Sequence, residues 1–181
     1  KAPLKVVNEV DLGRYVGRWY EIASFPQHFQ RGCVATTASY TLRDDDRIRV
    51  ENECRDGAFD GNLRRAEGVA WVADPSSSQA KLKVQFFWPF RGDYWIIELD
   101  PGYRYAAVGH PSRDYLWILA RTRTMDPADY ETLLARIEAQ GAAHEEGGHN
   151  RLSMASDADW NQWFESYGDY ILPYAREAQA A

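Results

Sequence analysis

The chain has 181 residues, 45% hydrophobic and 14% aromatic, enough for one core within a single domain. Its net charge of −6 excludes nucleic acid as a partner, because phosphate binding needs a basic face, and disfavours an anionic membrane surface. It contains no run of about 18 apolar residues, so no segment reads as a membrane-spanning helix.

The chain opens at Lys1 without Met, which fits a leader already removed. Residues 11–16 read as one helical turn with Leu12, Tyr15 and Val16 on its apolar side, and Gly17 breaks it. Trp19 then stands at the start of the first strand-like run. It is either a plug closing the end of a barrel or an ordinary core tryptophan beside a flexible turn.

Strand signals recur at 18–25, 33–42, 48–54, 63–73, 81–87, 94–99, 103–109 and 115–120, with turn signals between them. In 48–54, Ile48 and Val50 alternate with Arg49, Glu51 and Glu53, so one face is wet and one dry. Eight strands without intervening helices form an antiparallel meander, and closing it into an up-and-down barrel removes two exposed edges. Eight strands leave room for packed side chains or for one small ligand.

Cys33 opens the second strand and Cys54 closes the third. The hairpin at 43–47 brings these ends together, so a disulfide is expected, and with it an extracytoplasmic protein.

After the strands, Asp126 reads as the cap of a helix that ends at Gly141. Tyr130, Leu133, Leu134 and Ile137 make one apolar stripe, which predicts packing on the outside of the barrel. Residues 1–145 are therefore assigned to the barrel and its flanking helix, and 146–181 to a C-terminal extension. That extension starts as a polar, glycine-rich loop. From Ser156 it places Trp160, Trp163, Phe164 and Tyr167 on one helical face. The aromatic face packs on the barrel wall, covers the open end, meets a second copy in a homodimer or rests on a membrane interface.

The stretch Gly17-Arg18-Trp19-Tyr20-Glu21-Ile22-Ala23, the run Asp114 to Arg121, and Phe86 to Tyr94 resemble motifs of the lipocalins, and of the bacterial lipocalins similar to apolipoprotein D in particular. The likeness covers about residues 10–141. It implies an all-β fold, an eight-stranded antiparallel up-and-down barrel with a C-terminal helix outside. It also implies that Trp19 packs under Arg121 at the closed end, where a guanidinium stacks on an indole. A short ninth strand normally follows the helix, and 151–155 is the only candidate for it. The loose fit of residues 103–107 to the family's second motif is a departure, and the tail from Ser156 matches nothing expected.

Alternation then gives candidate ligand-binding residues: Ala38, Tyr40, Val50, Gly68, Ala70, Val84, Phe86, Trp95, Ile97, Tyr105, Tyr115 and Trp117. The sixth strand is set by Glu98 facing water. The seventh fits either face, with Tyr105 and Ala107 favoured inward. Small residues on the fourth strand leave volume for a fatty acyl chain or a lysophospholipid, although these side chains could equally fill the barrel. Polar tips near the open end would orient the headgroup.

The reading is therefore binding and transport or storage of a small lipophile, with no cofactor, in the periplasm, at the outer membrane or secreted. Association with a membrane would come through a lipid anchor on the removed leader. The alternative is a lipocalin-type enzyme, an isomerase or hydrolase acting on a buried lipophile, for which Cys54 could serve as the nucleophile if it were unpaired. His144 and His149 flank two glutamates but are spaced five apart, and Gly147 and Gly148 between them oppose a helix, so no metal site is assigned. The acidic run 44–46 reads as a solvated turn.

Overall fold

A computed structural model describes residues 2–25, 27–141 and 153–154. A turn of helix, α1 (Leu12–Tyr15), is capped by Asp11, whose side chain accepts from the Arg14 amide. Eight strands follow: β1 (Gly17–Ser24), β2 (Cys33–Leu42), β3 (Ile48–Asp56), β4 (Leu63–Asp74), β5 (Ser78–Phe87), β6 (Phe90–Leu99), β7 (Tyr105–Gly109) and β8 (Leu116–Ala120). Each pairs antiparallel with the next, and β8 returns to β1, so the ring closes and leaves no long edge. A three-residue 3-10 turn, His28–Gln30, links β1 to β2. A two-residue strand, β9 (Ser153–Met154), pairs with Ala23 and Ser24 at the end of β1. The anticipated ninth strand is thus present but short. The aromatic extension from Ser156 and the His144–His149 stretch lie outside the described residues.

The strand bounds differ from the sequence reading mainly at turns. β6 begins at Phe90 because its ladder to β5 runs up to the pair Phe87–Phe90. β7 begins at Tyr105, because Tyr103 is in the left-handed region (φ 58°) within a turn gathered by Asp100. Asp100 accepts from the amides of Gly102 and Arg104 and from the Arg104 guanidinium. Burial alone would raise its carboxyl, but these donors outweigh burial and hold it below the usual range.

Two apolar clusters form. One is the barrel interior, with Trp19, Tyr40, Ile48, Val50, Ala70, Leu82, Ile96, Ala106, Val108 and Leu119. The other lies outside β6–β8. There α2 (Pro127–Ala139), capped by Asp126, brings Tyr130, Leu133 and Ile137 against Ile97, Ala107, Leu116, Ile118 and Ala120. The helix packs on the barrel wall as its apolar stripe predicts. Cys33 and Cys54 form the expected disulfide, with Cα atoms 5.4 Å apart, joining β2 to β3.

Candidate functional site

The closed end is built around Trp19, which is 0% exposed. Its indole Nε1 donates to the Tyr15 carbonyl at 2.8 Å, and the Arg121 guanidinium lies 3.7 Å from its ring centre. Arg121 also donates to the carbonyls of Tyr103, Arg18, Arg14 and Tyr15. One side chain therefore ties α1, β1 and the β6–β7 turn together. Gly17 has φ +102°, and a Cβ there would meet Arg121 Nη1 at 3.3 Å, so glycine suits both the turn and the close approach. The Arg121 guanidinium thus lies over the Trp19 indole.

Above the plug stand three tyrosines in a relay. Tyr15 and Tyr94 share a hydrogen bond of 2.6 Å, and Tyr94 donates to Tyr40 at 2.9 Å. Burial pushes the Tyr40 phenol up to about 12 and raises Tyr15 and Tyr94 well above their ordinary value. All three are neutral at pH 7, so this floor offers hydroxyls without charge.

Ala38, Tyr40, Val50, Ala70, Val84, Phe86 and Trp117 share the interior cluster. Gly68 joins them, because a Cβ there would strike the Phe86 ring at 2.8 Å and the Gln85 carbonyl at 2.7 Å. Tyr115 sits just before β8 and stacks on Trp117, ring centres 5.9 Å apart.

Trp95, Ile97 and Tyr105 are corrections: all three pack with the outer cluster. A β-bulge between Ile96 and Glu98 reverses the alternation of β6. Glu98 does point outward, toward Gln140, and Leu99 does join the interior. Before the bulge, however, Tyr94 and Ile96 face in. Trp95 stands opposite Lys81, whose ammonium lies 4.4 Å from its ring centre. On β7, Ala106 and Val108 pair with the inward Leu119 and Trp117, which turns Tyr105 and Ala107 out.

The sequence reading also missed Glu21 and Gln30. Glu21 lies two residues beyond the inward Trp19 and pairs with the inward Leu119. Alternation from Trp19 would have found it. Gln30 Nε2 donates to Glu21 Oε2 at 2.8 Å, and Trp117 Nε1 donates to Gln30 Oε1 at 3.1 Å. Burial raises the Glu21 carboxyl, while hydrogen bonds from Ser24 and Gln30 act against the rise. The polar groups thus sit on the floor and midway up the wall, not only at the open end.

The interior is graded. The lower tier, with Tyr40, Val50, Ala70, Leu82, Ile96 and Val108, is buried. In the upper tier, Glu21, Ala38, Asn52, Gly68, Val84, Phe86 and Trp117 keep accessible surface, and inward Ala66 is exposed. Inward side chains that stay accessible in the half nearer the mouth mean that this end of the ring is not closed over by its own side chains. At the mouth, Phe87, Trp88 and Phe90 on the β5–β6 turn are 76%, 84% and 76% exposed, and Phe29 is 62% exposed. Arg64 holds the loop carrying Phe29 by donating to the carbonyls of Phe29 and Arg31.

Among the described residues no His, Cys, Asp and Glu cluster could hold a metal ion. Both cysteines are in the disulfide, so the enzyme alternative that needs a free Cys54 thiol has no nucleophile.

Residues 10–146 match the family model of the lipocalin-like domain. The chain is 44% identical over 149 residues to temperature-induced lipocalin-1 of Arabidopsis thaliana, covering 78% of each. It is 44% identical to the outer membrane lipoprotein Blc of Escherichia coli, covering 75% of this chain and 76% of that one. Apolipoprotein D of Macaca fascicularis is 35% identical, with 73% and 71% covered. Among solved structures, insecticyanin of the tobacco hornworm superposes with a TM-score of 0.65 at 22% identity, over 83% and 82% of the two chains.

Proposed function

Because the chain belongs to the lipocalin-like family, whose members bind small hydrophobic ligands, we propose that it binds and carries or stores one small lipophile, such as a fatty acid or a lysophospholipid, in its barrel. The observation that supports this most is the graded interior: a sealed floor under an accessible, largely apolar upper tier. An acyl tail leaving water for such a hollow gains roughly 0.8 kcal/mol per CH₂ buried. Burial supplies most of the affinity, and no covalent bond is made.

Trp117 contributes the largest ring of the accessible upper wall. Trp117→Ala is expected to weaken binding of a fluorescent acyl probe about tenfold, by loss of ring contact. The far-ultraviolet circular dichroism should stay unchanged, and unaltered affinity would remove Trp117 from the lining.

The disulfide supports an extracytoplasmic location. The Blc relatives are outer membrane lipoproteins by name, which supports placing this protein in the periplasm or at the outer membrane, with an N-terminal lipid anchor. The exposed rim of Phe29, Phe87, Trp88 and Phe90 supports ligand uptake from a lipid surface. The double variant Trp88→Ser, Phe90→Ser is expected to lose most co-flotation with neutral phosphatidylcholine vesicles. Equal flotation would assign membrane contact to another surface. Dimerisation through the aromatic extension is a further proposal, tested by comparing the mass of the chain with and without residues 156–181.

A further inference from the structure

Glu21 is an unusual group to find on the inner wall of a lipophilic barrel. A carboxyl taken out of water is costly unless a cation or several donors accompany it. Here it receives the Gln30 amide at 2.8 Å and a hydrogen bond from Ser24. No lysine or arginine among the described residues forms an ion pair with it. Glu21 also raises the pKa of the nearby Tyr40 phenol, which is neutral at pH 7. Glu21 nevertheless keeps accessible surface, so a ligand entering the upper tier reaches it. Around that position stand aromatic faces: Trp117, held by Gln30 at 3.1 Å, and Tyr40 below.

A carboxylate that no Lys or Arg among the described residues pairs with, set at mid-depth beside aromatic rings, is best complemented by a cationic headgroup. We propose that Glu21 is the anchor of a subsite for a lipophilic primary amine, bound head inward with its alkyl tail running up toward the aromatic rim. The inference rests on the barrel being the ligand site. The ammonium supplies the missing counter-charge, donates to the carboxylate and lies against ring faces. A carboxylate headgroup at the same depth would meet a like charge or force a proton onto one of the two acids. An alcohol would gain one neutral hydrogen bond.

The test compares decylamine, decanol and decanoic acid, which share a ten-carbon chain, by calorimetric titration at neutral pH. Decylamine is expected to bind about tenfold or more tightly than decanol, because a charge-assisted hydrogen bond is roughly twice as strong as a neutral one. The net charge of −6 draws any cation weakly, so the preference must also depend on Glu21. Glu21→Gln is expected to bring the amine-to-alcohol ratio close to one.

An amine bound no tighter than the alcohol overturns the subsite, and so does a preference that survives in Glu21→Gln. The wild-type comparison stands without the variant. If decanol and decanoic acid bind while decylamine does not, only the cationic subsite fails. If none of the three binds, the barrel reading fails with it.

Discussion

Arg121→Ala is expected to lower stability by about 3 kcal/mol, or roughly 10 °C in Tm for a chain of this size. The guanidinium covers Trp19 at 3.7 Å and donates to four backbone carbonyls from three separate segments. Alanine leaves those carbonyls without their charged donor and opens the indole to water. Burial lowers the Arg121 pKa, yet it stays protonated, so the contact persists across the physiological range. Arg121→Lys should recover only part of the loss, because an ammonium cannot form the planar fork or the stacked contact. Urea unfolding measures both. A loss under about 1 kcal/mol for the alanine variant would mean that the plug is held by packing alone.

Removing the disulfide is expected to cost about 3 kcal/mol. Cys33 and Cys54 are 21 residues apart in sequence, and cross-linking a loop of that length restricts the unfolded chain by about this much. The effect should be largest near the mouth. The bond joins the start of β2 to the end of β3, where the Gly57 amide also donates to the Gly32 carbonyl at 2.7 Å. Thermal unfolding with and without a reductant, and of the double variant Cys33→Ser, Cys54→Ser, gives the value. Equal midpoints would show that the strand ladder alone fixes these ends.

Much of this architecture is written in local pattern. Alternation in β3 is strict because only one face of that strand is covered, and its inward residues Ile48 and Val50 were identified from spacing. The helix cap at Asp126 and the stripe at Tyr130, Leu133 and Ile137 follow from side-chain chemistry within one element.

The errors fall where tertiary contacts override the pattern. β6, β7 and β8 are buried on both faces, inside by the barrel and outside by α2. Runs such as Ala106-Ala107-Val108 therefore carry no period from which to choose a face. One bulge in β6 then exchanged Trp95 and Ile97 for Tyr94 and Ile96. Glu21 was overlooked for a different reason. A carboxylate in a strand is normally taken as solvent-facing, and this one faces in with the help of Gln30 from the turn after β1.

The proposed ligand site is the accessible upper tier of the barrel. Ala66→Trp tests it most directly, because Ala66 faces inward yet is exposed, and an indole there would fill the hollow without touching Trp19 or Arg121. In a fluorescent acyl-probe titration, the wild-type chain should show one saturable site and the variant should lose it while keeping its unfolding midpoint. Equal probe binding by both proteins would place the ligand outside the barrel and contradict the claim.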